Sequence, residues 1–187
     1  MKGLLKVVLV VACSAALVVA LFAFWRGDLS LPLGSAVTDP ASPAESSLPI
    51  EIPATATTAT VNYVHDGDTL FLTTPADANL KVRLLAVDTP EIGDNLECLG
   101  PEATDYLRAL LPEGSTVYTQ SDVEPLDQYG RSLLFVWTSS GELVNLSLVS
   151  SGYAEAVFTG GNRMLEAQVE AAEDAARAAG LGIWGAC

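Results

Sequence analysis

Between Lys6 and Trp25 the chain runs from Val7 to Phe24, 18 residues without a charge. As an α-helix that run is about 27 Å long, just sufficient to cross the hydrocarbon core of a bilayer. It sets the organisation of everything after it, because a folded domain must then be built from the remaining chain. Two readings of residues 1–26 compete: a cleaved signal peptide and an uncleaved signal-anchor helix. Phe22, Phe24 and Trp25 crowd the end of the run, and the nearest small-residue site, Gly34-Ser35-Ala36, lies further on, which favours the anchor. In both cases Lys2 and Lys6 stay inside and the rest is exported. Cys13 follows Val10-Val11-Ala12, a faint lipoprotein box, but the apolar run continues past it and favours a membrane-buried cysteine.

The mean hydropathy of +0.35 comes largely from this run, since 23 acidic residues face only nine basic ones. A net charge of −14 argues against a protein that coats duplex DNA through a basic surface. Residues 27–58 contain Pro32, Pro40, Pro43, Pro49 and Pro53 and no aromatic side chain. Ser, Ala and Thr fill much of the rest, so the stretch reads as an extended linker and a tethered domain is expected at 59–187. Cys98 and Cys187 form an even pair in an exported domain, which suggests a disulfide; two unrelated thiols are the alternative. Such a bridge would stabilise the fold by about 4–5 kcal/mol in the chain-entropy model. No second Cys or His stands beside either cysteine to make a metal site.

Within the domain, Thr58–Val64 and Thr69–Thr73 alternate apolar and small polar residues around His65-Asp66-Gly67-Asp68. That pattern predicts two strands and a tight turn, with Gly67 free to take positive φ. Val82–Val87 reads as a third strand, and Ser115–Gln120 and Ser132–Trp137 as two more. Pro101 and Glu102 open a helix that carries Tyr106, Leu107, Leu110 and Leu111 on one face and stops at Pro112. Asn145 is expected to cap a short helix, which also accounts better than glycosylation for the Asn145-Leu146-Ser147 sequon. Leu165, Val169, Ala172 and Ala176 mark a long amphipathic helix ended by Gly180. The expected fold class is mainly β with helices (α+β): a five-stranded Greek-key barrel of the OB type with three helices.

Three polar clusters fall at predicted strand ends. Each alone reads as a turn: Asp66-Gly67-Asp68-Thr69, Arg83 with Asp88-Thr89-Pro90-Glu91, and Asp127-Gln128-Tyr129-Gly130-Arg131. Together they supply hard oxygen ligands, a spare carboxylate and two guanidinium groups. Asp68 and Asp88 can hold a hard divalent cation. Glu91 can polarise a water, and Arg83 and Arg131 offer planar donors to phosphate oxygens. An arginine inside an apolar strand is costly unless it meets an anion. Cation, base and guanidinium pair are what in-line displacement at a phosphodiester requires. His65, the only histidine, reads as a solvated turn residue.

From about Thr58 to Trp184 the sequence resembles the staphylococcal nuclease family. The resemblance runs through Val64–Thr69, Val82–Glu91, Gly100-Pro101-Glu102-Ala103, Asp127–Arg131, Val144-Asn145 with Leu148-Val149, and Gly182-Ile183-Trp184. It implies an OB-fold barrel and Ca²⁺-dependent cleavage of DNA and RNA, the substrate being single-stranded or flexible and the chain a monomer. It also implies that Asp68, Asp88 and the Thr89 carbonyl hold Ca²⁺, that Glu91 is the general base, and that Arg83 and Arg131 stabilise the transition state. Tyr129 and Phe158 are the residues it suggests for holding substrate. Three departures stand out: Gln128 replaces a lysine, the loop from Glu91 to Gly100 is shorter and carries Asp94 and Glu97, and only Phe158 and Gly160 stand near the family's two stacking tyrosines. From Ala59 onward there are 19 acidic and six basic residues. These changes spare the chemical centre and weaken substrate holding. The competing reading is a catalytically quiet OB-fold binding module tethered at the cell surface. In the favoured reading the domain is membrane-anchored through residues 7–24, or secreted if the signal is cleaved.

Overall fold

The computed structural model describes residues 50–187; residues 1–49, with the apolar run and most of the expected linker, lie outside the described residues. In chain order the elements are β1 (Thr57–Val64), β2 (Thr69–Thr73), β3 (Leu80–Leu84), a two-residue β4 (Val87–Asp88), α1 (Gly100–Leu110), β5 (Thr116–Gln120), β6 (Ser132–Thr138), α2 (Val144–Ser150), β7 (Glu155–Ala156), α3 (Glu166–Ala179) and a single turn α4 (Ile183–Ala186). Five strands close a barrel in the order β1-β2-β3-β6-β5. The β3–β6 pair is parallel and the others antiparallel. This is the closed Greek-key arrangement expected of an OB-type barrel.

Period-two patterning builds the interior. Ala59 and Val61 of β1, Leu70 and Leu72 of β2, and Val82 and Leu84 of β3 all point inward and are buried. Helix α1 begins with a proline in its first turn, buries Leu107, and gives way to the buried Leu111 just before Pro112. Helix α3 buries Val169 and Ala176 and stops at Gly180, whose φ of +62° is the left-handed conformation glycine adopts at little cost. Three helices are expected in the domain; among the described residues α4 adds a fourth α-helical segment, of a single turn. The folded part also reaches further upstream than residue 59. Ile50 and Ile52 pack against the core, and the Trp137 indole N–H donates to the Ile50 carbonyl at 3.1 Å.

Three local expectations need correction, and all three bear on the site. The apolar run Val82–Val87 is not one strand: β3 ends at Leu84, and Ala86 turns the chain at φ +61° into β4, which pairs with β7. A non-glycine residue in that region carries strain and persists only where its surroundings hold it. Asn145 is part of the holding. It does not cap α2, whose N-cap is Leu143 with no side-chain cap. Fully buried instead, it donates through Nδ2 to the Leu85 carbonyl at 2.8 Å and the Leu134 carbonyl at 3.2 Å, and accepts the Val136 N–H at 2.9 Å. Gly67 does not adopt positive φ. The glycine is required because the chain passes so close to Thr89 that a Cβ would stand 2.8 Å from the Thr89 Cβ. The turn itself is made by Asp66, whose Oδ1 accepts the N–H groups of Asp68 and Thr69 at 3.0 and 2.7 Å.

Cys98 and Cys187 stand at bonding distance, with S–S 2.08 Å and Cα atoms 6.0 Å apart, joining the approach to α1 to the chain end after α4.

Candidate active site

The turn between β1 and β2, the end of β3 and the end of β4 meet at one edge of the barrel. Asp68, at the start of β2, is buried. Its Oδ1 accepts from Thr69 Oγ1 at 3.1 Å, and its Oδ2 accepts both the N–H and the hydroxyl of Thr89 at 3.2 Å. Arg83 spans the two carboxylates, with Nη1 2.9 Å from Asp68 Oδ2 and Nη2 2.6 Å from Asp88 Oδ1. The same guanidinium donates to the Val87 carbonyl at 2.8 Å. A single planar fork thus fixes β3, β4 and the β2 turn together, which a point charge could not do. Asp68 and Asp88 differ in setting: the Asp88 side chain is 56 % exposed and the Asp68 side chain 10 %. Burial pushes the Asp68 carboxyl up to about 6; the nearby Arg83 pulls it back only in part and Asp66 adds to the rise.

Arg131 is fixed from the loop between β5 and β6. Its Nε lies 2.6 Å from Asp127 Oδ2, and its backbone N–H donates to Asp127 Oδ1 at 2.9 Å. Burial alone would raise the Asp127 carboxyl, but the Arg131 side chain and the backbone N–H groups of Arg131 and Tyr129 outweigh it and hold it below the usual carboxylate range. Tyr129 is largely exposed, with the Arg131 guanidinium 5.7 Å from its ring centroid. Arg83, Arg131 and Tyr129 line one open cavity of about 320 Å³. Its apolar wall includes Leu85 and Val87 at the Ala86 corner. Glu91 lies just beyond β4, exposed, its backbone N–H tied to Glu97 Oε2 at 3.0 Å. Gly100 is needed there, since any Cβ would run into the Glu91 carbonyl.

The structure therefore brings Asp68, Arg83, Asp88 and Thr89 into direct contact, puts Arg131 and Tyr129 on the cavity that Arg83 shares, and sets Glu91 on the adjoining segment. Phe158 is not brought to that cavity. It packs against the core beneath the Arg163 guanidinium, 5.4 Å away, while its neighbours Val157 and Thr159 form the cavity wall. Sequence reasoning missed Glu124, also on the wall, whose Oε1 accepts the Gly161 N–H at 2.9 Å. Asn162 completes that clamp by accepting the Glu124 N–H at 2.8 Å. The only sequence signal was the Gly160-Gly161-Asn162 run, which marks a turn without saying what it meets.

Among the described residues no group of three His, Cys, Asp or Glu side chains converges as a metal cage. The donors at the Asp68–Asp88 pair are all oxygen, two carboxylates beside the Thr89 hydroxyl. That donor set fits a hard divalent ion better than a soft one.

Comparison with known proteins agrees with the geometry. The family model described as "Staphylococcal nuclease homologue" matches residues 81–186. Endonuclease YhcR of Bacillus subtilis is 37% identical over 134 residues, which cover 66% of this chain and 11% of that protein. A thermonuclease of Staphylococcus intermedius is 33% identical over 127 residues, covering 66% of this chain and 74% of the relative. A second thermonuclease, from Staphylococcus hyicus, is 31% identical over 124 residues, with 65% and 72% covered. The chain thus spans about a tenth of YhcR and nearly three quarters of each thermonuclease. The family match takes in Arg83, Asp88, Thr89, Glu91 and Arg131, and Asp68, just upstream of the match, contacts Arg83 and Thr89. On that match and on the two thermonucleases, this chain belongs to the staphylococcal nuclease family.

Proposed function

We propose that the chain is an exported, calcium-dependent nuclease that hydrolyses phosphodiester bonds of single-stranded or flexible DNA or RNA. The observation that carries this reading is the convergence of Asp68 and Asp88 on Arg83, which lines a cavity that also presents Arg131. Asp68, Asp88 and the Thr89 carbonyl would hold Ca²⁺. When bound there, the ion would supply Lewis-acid polarisation of a phosphoryl oxygen. Glu91 orients a water and accepts its proton as the water oxygen attacks phosphorus and the opposite P–O bond breaks, the leaving sugar oxygen taking a proton from solvent. Arg131, preset by Asp127, and Arg83, preset by the carboxylate pair, direct N–H groups at the equatorial oxygens where charge accumulates. Tyr129 shields one side of the reacting phosphate and contributes ring surface to the substrate.

Export belongs to the same proposal. The Cys98–Cys187 bridge suits an oxidising compartment outside the cytoplasm, and residues 7–24 would tether the domain to the membrane or be removed.

Glu91→Ala and Arg131→Ala should each lower turnover on single-stranded DNA by at least about 10²-fold without unfolding the barrel. Arg83→Lys should also be damaging, because an ammonium cannot span both carboxylates. Cleavage by Glu91→Ala at the unmodified rate would contradict the assigned roles.

A further inference from the structure

Outside the cavity, the outward face of the β1–β2–β3 sheet carries a row of side chains that the chemistry above does not use. Tyr63, Phe71 and Lys81 stand in register across the three strands. The Tyr63 and Phe71 rings stack at 4.6 Å with an interplanar angle of 13°, and the Lys81 ammonium lies 5.8 Å from the Phe71 centroid. Tyr63 remains 40 % exposed. Lys81 is the only lysine after Lys6, on a chain with a large excess of acidic residues. Its position is telling. Val82 and Leu84 point inward, so Lys81 and Arg83 share the outward face of β3 two residues apart, about 7 Å. Lys81 also lines a second open hollow of about 290 Å³ together with Tyr129 and Arg131. The row is therefore continuous with the site at two points, through Arg83 along β3 and through Tyr129 and Arg131 beside it.

We propose that Tyr63, Phe71 and Lys81 form an accessory binding track for the single-stranded part of the substrate that extends beyond the scissile phosphate. This rests on the nuclease reading, and its ligand is a single strand of nucleic acid. Unpaired bases stack on the Tyr63–Phe71 platform, and Lys81 meets a backbone phosphate between the platform and the reacting centre. Stacking tolerates any base, because every base has a π-face, and it needs few cations. That suits a domain with six basic residues against 19 acidic ones from Ala59 onward. Charge complementarity is local: Lys81 and Arg131 face one hollow, and an aromatic pair continues the line away from them. A duplex does not fit this chemistry, since its bases are already stacked on each other.

The test uses the full-length protein with Tyr63→Ala, Tyr63→Phe and Lys81→Gln. The probes are fluorescently labelled oligo(dT) of about 20 nucleotides, beyond the ~4–16 that one OB fold covers, and of about 3 nucleotides. Binding is read by anisotropy in chelator, where no cleavage is needed, and KM and kcat are then read in calcium. Tyr63→Ala should weaken binding of the long strand, and raise its KM, at least about fivefold. It should leave kcat and the short oligomer unchanged. Tyr63→Phe should restore the long-strand value, and Lys81→Gln should show a smaller loss that shrinks with added salt. An unchanged long strand, an equal loss on long and short strands, or a duplex that binds as tightly and loses as much would each overturn the track. Loss of long-strand binding in a protein that cleaves nothing would uphold the track and refute the nuclease reading. Normal cleavage with a neutral Tyr63→Ala would do the reverse.

Discussion

Asn145→Ala tests how the site is held in shape. In the native fold this fully buried side chain is the partner of the Val136 N–H and the Leu85 carbonyl, and shares the Leu134 carbonyl with the Leu85 N–H. Truncation leaves the Leu134 carbonyl satisfied but orphans the other two groups in the interior. Each buried unsatisfied group costs about 1–3 kcal/mol, so the variant should lose about 2–6 kcal/mol of stability. For a domain of this size, at about 4 °C per kcal/mol, that corresponds to a fall in Tm of roughly 8–24 °C. Leu85 adjoins Ala86, whose left-handed φ sets β4 and hence Asp88 against Arg83, so kcat should fall along with stability. Asn145→Asp keeps the acceptor for Val136 but loses both donors and adds a buried charge, so it should be no better than alanine. Urea unfolding with an unchanged m-value gives the difference directly. A loss below about 1 kcal/mol for Asn145→Ala would show that the corner is held by other contacts and not by the Asn145 amide.

Two further outcomes stem from charge. The Asp127 carboxyl is held below its usual value, so it stabilises the fold fully above the unfolded pKa of about 4, and that contribution is lost as pH falls through the lower folded value. The stability gap between the protein and Asp127→Asn should therefore be widest at neutral pH and close below about pH 4; a gap independent of pH in urea titrations would contradict the ion pair's role. On single-stranded DNA at saturating calcium, kcat/KM should stay flat or rise between low and physiological salt, because few cations contact the backbone and added salt screens the acidic surface. A fall of about tenfold or more would reveal a basic track elsewhere on the surface.

How much of this was legible in the sequence depends on which force sets each feature. That Asp68, Arg83, Asp88 and Thr89 come together was readable from short polar motifs at strand ends, with Pro90 barring any continuation of the strand. The barrel strands and α3 were readable for a similar reason, since burial imposes period two or period 3.6 on side chains along a single element. The Ala86 corner was not. Val82–Val87 is apolar apart from Arg83, and the break comes from distant contacts, the buried Asn145 amide and the β4–β7 pairing, that no local pattern records. Gly67 was read as a turn glycine, yet what demands it is the approach of Thr89, far along the chain. Asn145 looked like a cap because caps and buried struts use the same residue types, and only burial tells them apart. Phe158 was placed by resemblance alone; its ring went to the core, and its neighbours took the cavity wall.

In the proposed function the Asp68–Asp88 pair, Glu91 and the two arginines make one hydrolytic centre dependent on calcium. The most direct measurement is cleavage of single-stranded DNA by the full-length protein, with calcium and with chelator, beside Asp88→Asn, which removes a ligand charge at the exposed carboxylate. Cleavage is expected only with calcium, and the Asp88→Asn protein should need far more calcium to reach any activity. Equal cleavage in chelator, or an Asp88→Asn protein with an unchanged calcium requirement, would contradict it.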